Sequence, residues 1–344
     1  MTIETDKKGF KVKTPRWFKR TFTTGSRLVA ALLFAGSLGQ ASAQTYPDRP
    51  VTIAVGFAAG GAFDSVMRAL AEEMSKTLGQ RVNVDNKAGA GGAIATQAVV
   101  AAPADGYILL AAGLQLATGP HLNKISYNPA ADLTMVSQVV NVPVFLLVRQ
   151  DSPIKDAKDI AALGKKNGNG VTIGSGGAGT TGHFGALMME SAMNTPVVHV
   201  PFKGGAPGLQ ALVAGEIELM LDQPSGVLQG LVQAGKIRSV AVMQSSRHPL
   251  TPNVKSAPEF GIQLETPLRG WQGLAVRSGT PPAVIQKISA SIAAAVASPA
   301  FKKKLEQLDL ELVTASSPES FQKLYLSELS HWGTFIKKHK ITNQ

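Results

Sequence analysis

The sequence predicts an α/β protein of two lobes, each built around a mixed or parallel sheet. Strand-like and helix-like segments alternate along most of the chain, which is the pattern of β/α units. Glycine-rich turns connect two of these strands to the helices that follow them. The chain has 344 residues, which is too long for one typical hydrophobic core. It contains no cysteine, so a disulfide scaffold and a thiolate metal site are both excluded.

Residues 1–43 have the composition of a secretory leader. Eight lysines and arginines accompany an apolar stretch at 28–38, and Ala41, Ser42 and Ala43 are small residues suited to cleavage. Because that stretch is too short to span a bilayer, we expect export to the periplasm and a mature chain that begins at Gln44. The leader carries six of the eleven net positive charges, which leaves about +5. The remaining basic residues are scattered, so we expect no nucleic-acid partner.

The first β/α series follows the leader. The helix at 64–78 places Val66, Leu70, Met74 and Leu78 on one apolar face, with Asp64 at its N-cap and a glycine after its end. The other elements of this series are strands at 51–57, 81–85 and 107–112 and a helix at 92–102. Their alternation predicts a sheet whose ligands bind beyond the carboxyl ends of its strands.

Two extended segments are predicted to carry the chain between lobes. The segment at 133–148 is too long for one ordinary strand, and the segment at 271–276 returns the chain after a proline-rich region. Lobe 1 therefore comprises 44–142 with 269–344, lobe 2 comprises 143–268, and the hinge crossings lie near 138–144 and 266–272. Two crossings with a cleft between them are typical of a hinged ligand clamp. The remaining predicted helices are 155–165, 182–193, 206–214, 225–234, 281–297, 299–308 and 318–338, and the remaining strands are 171–175, 197–200, 217–221 and 239–243.

The two glycine-rich turns are the main candidate binding elements. In VTIAVGFAAGGAFD, Gly60 and Gly61 allow close approach of the backbone to a ligand, and the helix N-terminus favours an anion. The second turn contains G-x-G-x-x-G at 174–179, but no acid stands at the distance expected for ribose binding. We therefore expect Ser175, Thr180 and Thr181 to form, with glycine amides, a neutral nest for a carboxylate.

Three further side chains follow strands or turns in this region. His183 begins the helix after the second turn and can donate a hydrogen bond to a carboxylate or serve a structural role. Lys203 can balance ligand charge or remain solvated. Asp222 ends an apolar strand, where it can cap a turn or accept a proton from a ligand amino or hydroxyl group. His199 lies in a different element from His183, so we expect no metal site, and we find no catalytic signature and no cofactor motif.

The chain resembles the TctC/Bug family of periplasmic solute-binding proteins, which serve tripartite tricarboxylate transporters. The matching motifs keep their order across nearly the whole expected mature chain: PDRPVTIAVGFAAGGAFDSVMR, VDNKAGAGG, ADGYILL, IGSGGAGTTGHF, HVPFKGGAP, LMLDQP and RGWQGLAVRSGTPP. This sequence has Phe202 where family members usually have tyrosine, and Ile108 where they usually have threonine.

The resemblance implies a periplasmic-binding-protein fold of the type II, or Venus flytrap, class, without catalysis. It also implies that two glycine-rich loops clamp a ligand carboxylate through backbone amides and bridging water. The family takes tricarboxylates, dicarboxylates, acidic amino acids and aromatic acids. Binding roles are carried by the resemblance onto Phe57, Gly60, Gly61, Asp64, Ala112, Gly113, Ser175, Gly177, Gly179, Thr180, Thr181, His183, Lys203 and Asp222.

The function expected from these observations is a monomeric receptor that delivers a small carboxylate to membrane permease subunits. A ligand sensor that docks on a membrane signalling protein would carry the same sequence features. An exported hydrolase built on Ser175 and His183 is a weaker alternative, because the G-x-S-x-G pattern fails and no orienting acid is evident.

Overall fold

A computed structural model describes residues 46–342 of the protein, so the expected leader lies outside the described residues. The first β/α series contains four strands and four helices. In chain order they are β1 (Val51–Val55), α1 (Ala62–Leu78), β2 (Val82–Asn86), α2 (Ala93–Ala101), β3 (Ile108–Gly113), α3 (Gln115–Leu122), α4 (Pro129–Asp132) and β4 (Leu133–Pro143). A single 3₁₀ turn, Ala90–Gly92, precedes α2.

The chain then builds a second series that starts immediately after β4. Its elements are β5 (Phe145–Arg149), α5 (Ala157–Asn167), β6 (Val171–Ser175), α6 (Thr181–Met193), β7 (Val197–Pro201), α7 (Gly205–Ala214), β8 (Leu219–Asp222), α8 (Gly226–Gln233), β9 (Ile237–Val242), β10 (Lys255–Ser256) and α9 (Ala257–Phe260). The C-terminal part contains β11 (Arg269–Arg277), α10 (Pro282–Ala297), α11 (Pro299–Glu306), β12 (Glu311–Leu312) and α12 (Pro318–Lys338).

Two six-stranded mixed sheets result, with the strand orders β12-β4-β11-β3-β1-β2 and β10-β9-β5-β8-β6-β7. In the first sheet β1 is parallel to β2 and β3, whereas β11 is antiparallel to β3 and β4. In the second, β6 is parallel to β7 and β8, and β5 is antiparallel to β8 and β9. The predicted class of fold, α/β with a mixed sheet in each half, is confirmed by this arrangement. The chain passes from one sheet to the other at Val144, between β4 and β5, and returns before β11.

The helices cover the sheets because their apolar faces are regular. Val66, Leu70, Met74 and Leu78 are all buried on α1, and Gly79 ends that helix in the left-handed conformation, as the sequence predicts. The C-terminal helix α12 contacts α6 of the second series: the ring centroid of Trp332 lies 4.6 Å from that of Phe184. Within residues 46–342, no single helix is long and apolar enough to cross a membrane. In the same part of the chain, only α10 and α11 taken together reach that length and apolar character, and they are bent by 68° at their junction.

Most sequence-predicted elements are found within a few residues of their expected bounds. The extended segment at 133–148 is two strands rather than one, because Val144 separates strands that belong to different sheets. The helix α3 was not predicted, because Pro120 and Gly119 interrupt a helical pattern in its second half. The prediction that Asp64 is an N-cap is wrong: α1 begins at Ala62, its N-cap is Gly61, and Asp64 is its third residue.

Candidate functional site

The carboxylate of Asp64 holds the first glycine-rich turn in place by hydrogen bonds. Its Oδ2 accepts hydrogen bonds from the backbone N–H of Gly60 at 2.9 Å and from Arg68 Nε at 2.9 Å. Arg68 in turn donates to Asn86, which donates to the carbonyl of Phe57 at 3.0 Å. Burial opposes ionisation, but the hydrogen bonds from Arg68 and Gly60 lower the pKa of Asp64 below its usual value. The carboxylate therefore holds the turn in place and does not line the cavity described below.

Ser175 and His183 hold the second glycine-rich turn in a similar way. The fully buried Ser175 hydroxyl accepts the N–H of Gly177 at 3.1 Å and lies 2.7 Å from His199 Nε2. His183 Nδ1 accepts the N–H of Gly179 at 3.2 Å, and its ring stacks on that of His199 at 4.4 Å. Burial lowers the pKa of both histidines to about 4, so both are neutral at pH 7. The Ser175 hydroxyl and His183 Nδ1 therefore make their hydrogen bonds to groups of the protein itself.

A small cavity of about 40 Å³ lies between the two turns. Five of the sequence-predicted residues line it: Phe57, Gly61, Thr180, Thr181 and Asp222. Residues that were not predicted complete the wall: Ala62, Phe63, Leu114, Gln115, Gly176, Gly182, Gly205, Leu221 and Gln223. The volume holds only a few water molecules, so a larger guest requires the surrounding elements to separate.

Three helix N-termini meet at this cavity. The first turns of α1, α6 and α7 contribute Gly61 to Phe63, Thr180 to Gly182, and Gly205. None of these three helices has a hydrogen bond from a side chain to its first amides at the N-cap. Side chains cap the starts of α5, α8 and α12, whereas α2, α3 and α10 also lack such caps. Because the first amides of a helix lack intrahelical partners and carry the positive end of its dipole, these three helix ends favour an anion in the cavity.

A chain of side-chain hydrogen bonds links Thr181 to the opposite sheet. Gln272 on β11 donates from Nε2 to Gln223 Oε1 at 3.2 Å, and Gln223 donates from Nε2 to Thr181 Oγ1 at 3.2 Å. With its oxygen accepting this bond, the Thr181 hydroxyl is free to donate its hydrogen into the cavity. Neither glutamine was predicted. The available signals were a glutamine directly after Asp222 in LMLDQP and a glutamine inside the otherwise apolar segment GWQGLAV.

Several other contacts join the two sides around the cavity. The N–H of Ala58 in the first turn donates to the carbonyl of Lys203 at 2.9 Å, and the N–H of Gly226 donates to Ser65 Oγ at 3.2 Å. The Thr118 hydroxyl on α3 donates to the carbonyl of Gly179 at 2.6 Å. Segments associated with the two sheets are thus joined directly by hydrogen bonds around the cavity.

The remaining sequence-predicted residues lie near the cavity without lining it. Gly177 and the exposed Lys203 line a neighbouring crevice of about 280 Å³, and Gly179 lines a third, smaller one. Ala112 and Gly113 are buried at the end of β3, where a side chain at position 113 would collide with the ring of Phe63. The next two residues of the chain, Leu114 and Gln115, reach the cavity instead. Among the described residues, no cluster of three or more histidine or acidic side chains is arranged to hold a metal ion.

Comparison with known proteins identifies the family of the chain. The family described as the tripartite tricarboxylate transporter family receptor, TctC, matches residues 66–341. The chain belongs to this family. TctC proteins are periplasmic solute-binding receptors without enzymatic activity. A relative from Pseudomonas sp., the UPF0065 protein in the tcbD-tcbE intergenic region, is 30% identical over 319 residues, which cover 92% of this chain and 94% of the relative.

Solved structures share the fold along most of the chain. The periplasmic binding protein BugD is 34% identical with a TM-score of 0.81, covering 87% of this chain and 100% of BugD. MatC from Rhodopseudomonas palustris with bound malate is 31% identical with a TM-score of 0.77, covering 84% of this chain and 99% of MatC. The R. palustris protein Rpa4515 with adipate is 28% identical with a TM-score of 0.80, covering 87% of this chain and 100% of that protein. The TctC family and the class of fold that the sequence predicts are thereby confirmed.

Proposed function

We propose that this protein is an extracytoplasmic receptor that captures a small carboxylate between two lobes and delivers it to a membrane permease of the tripartite tricarboxylate type. The observation that carries the proposal is the meeting of three helix N-termini, without side-chain caps, at one cavity between the sheets. Relatives that hold malate and adipate support a ligand of this class.

The cavity recognises charge mainly with uncharged groups. Its lining contains glycine and threonine backbone, the Thr181 hydroxyl and the amides of Gln115 and Gln223, and among the described residues Asp222 is its only ionisable member. Such donors stabilise an oxyanion without a fixed counter-ion, and they leave the ligand easier to release than a buried salt bridge would. Reversible capture and delivery require that balance.

The two lobes of the proposal are 44–142 with 269–344 and 143–268, with a hinge at the two crossings. Opening would break the bonds between Ala58 and Lys203 and between Gln272 and Gln223, because each joins elements of different sheets. The ligand would enter while these bonds are broken and would be enclosed when they form again. We also propose that residues 1–43 are a cleaved leader, which the intact mass of the exported protein would establish.

Calorimetry against a panel of organic acids tests the proposal. The protein should first be unfolded and refolded to remove any co-purified ligand, and the panel should include malate, adipate and citrate with a neutral diol as the control. Saturable binding of at least one acid, without binding of the diol, is the expected result. Absence of binding by every carboxylate would overturn the proposal. Mass spectrometry of the material released on unfolding would identify the natural ligand.

A further inference from the structure

Asp222 is an unusual member of the cavity wall. It is only 7% exposed, at the carboxyl end of β8, and its Oδ2 has no hydrogen-bond partner among the described residues. That oxygen lies beside Gly205 at the start of α7, 2.0 Å from the place where a side chain at position 205 would begin. Burial raises the pKa of Asp222 to about 7, opposed only by a hydrogen bond from the backbone N–H of Gln223.

No cation within residues 46–342 compensates this carboxyl group. The strands beside β8 place Phe145 opposite Asp222, and Ser175 opposite Leu221. On α7 there is no ionisable residue. The ionisable groups on β5 and α6 are engaged elsewhere: Arg149 pairs with Asp151, Glu190 accepts the N–H of Val197, and His183 accepts the N–H of Gly179.

A negatively charged guest makes ionisation of Asp222 still less favourable. Two carboxylates enclosed together without a cation repel each other, and one proton shared between them removes the repulsion. An unpaired buried carboxylate also lacks the hydrogen bonds that would offset its desolvation. A protonated carboxyl, by contrast, has an O–H donor that fits an anionic acceptor.

We propose that the Asp222 carboxyl holds its proton in the loaded site and donates that hydrogen to the guest carboxylate, so that the protein takes up a proton from solvent as it captures its ligand. This inference rests on the proposed function. It narrows the ligand class, because a site in this state favours an oxyanion and disfavours an ammonium group beside Asp222. Among the acids expected for the family, it favours plain carboxylic acids over amino acids.

Proton uptake is measured by calorimetry in two buffers of different ionisation enthalpy, with adipate and malate as probes. Both probes are fully ionised dianions in solution at pH 8, so a proton taken up on binding at that pH is assigned to the complex and not to the free ligand. With a starting pKa of about 7, we expect roughly 0.9 proton per ligand at pH 8 and roughly 0.1 at pH 6. The apparent affinity should therefore be about tenfold weaker at pH 8 than at pH 6.

Two variants make the assignment specific. Asp222→Asn keeps a neutral donor of similar size, so it should still bind, without proton uptake and with the same affinity at both pH values. Asp151→Asn makes the same chemical change at an exposed position outside the cavity and should behave like the wild type. If Asp222→Asn does not fold, ¹³C NMR of aspartate carboxyl groups in the wild type gives the same information. The chemical shift of the Asp222 carboxyl carbon should be that of a protonated acid at pH 8 only when adipate is bound.

The outcomes separate the two proposals. Binding of a probe without proton uptake at pH 8 would overturn the role of Asp222 and leave the receptor function intact. Loss of about 100-fold or more in affinity in Asp222→Asn, without uptake in the wild type, would show instead that Asp222 is ionised and accepts a hydrogen from the ligand. Failure of every carboxylate to bind would overturn the receptor function itself.

Discussion

Closure of the cleft can be tested at one glycine. Gly91 lies in the 3₁₀ turn before α2 and has a φ of +59°, a conformation that favours glycine. A Cβ at this position would lie 2.4 Å from the carbonyl oxygen of Ala178 in the second glycine-rich turn, on the other side of the cleft. Real Cβ atoms essentially never approach an atom this closely. In Gly91→Ala the 3₁₀ turn and the second glycine-rich turn must therefore stay further apart than in this structure.

The free-energy cost expected for Gly91→Ala has two parts. Alanine in the left-handed region costs about 1 kcal/mol, which lowers stability whether the cleft is open or closed. The added methyl group costs about 1–3 kcal/mol more in the closed form, as for overpacking in a well-packed region. Because ligand binding requires closure in the proposed mechanism, the second part should weaken the binding of adipate or malate by about 5- to 150-fold in Kd.

Gly79→Ala is the matched control. Gly79 has a similar φ of +67° at the end of α1, and a Cβ there would have open space around it. Thermal melts should show comparable losses of stability for the two variants, whereas calorimetry should show weakened binding only for Gly91→Ala. Equal affinities in the two variants would refute the inference that the 3₁₀ turn and the second glycine-rich turn must meet for the ligand to be held.

Two further predictions follow from side chains around the cavity. Thr181→Val removes a donor and leaves Gln223 Nε2 without its acceptor, so adipate binding should weaken by about 10- to 100-fold in calorimetry, while Thr181→Ser should bind like the wild type; an unaffected valine variant would show that the hydroxyl does not contact the ligand. His183 and His199 have folded pKa values of about 4, below the usual 6.5, so the stabilisation from keeping them neutral is complete above about pH 6.5 and is lost as the pH falls towards 4. In denaturant unfolding, the difference between the wild type and His199→Gln should therefore shrink by about 1.8 kcal/mol in total from pH 7 to pH 5, and a difference independent of pH would contradict the burial of a neutral imidazole.

The periodic parts of the fold could be predicted from sequence because they depend on local patterns. The apolar face of α1 and the glycine that ends it are both visible within one segment. The beginning of α1 could not be predicted in the same way. An acid is favourable both at an N-cap and at the third helical position, so the position of Asp64 alone could not distinguish a helix that begins at residue 65 from one that begins at Ala62.

The polar connections of the site depend on contacts between distant parts of the chain. Gln272 and Gln223 are 49 residues apart and meet only because the chain crosses twice between the sheets. The spacing of His199 from His183 predicts no contact, yet α6, which carries His183, packs on β7, which carries His199, and the two rings stack. Spacing along the chain excludes a metal site on one helix, but it does not exclude a contact between neighbouring strands and helices.

Ser175 and His199 show why a short hydroxyl–imidazole distance does not make a catalytic pair here. Their atoms are 2.7 Å apart, a distance typical of a nucleophile and its base. However, the Ser175 hydroxyl is fully buried, its oxygen accepts the N–H of Gly177, and the carbonyl of that residue lies within hydrogen-bond distance at 3.2 Å. A substrate would have to unfold the turn to reach it. The pair therefore holds the second glycine-rich turn in place, which agrees with a family of receptors rather than hydrolases.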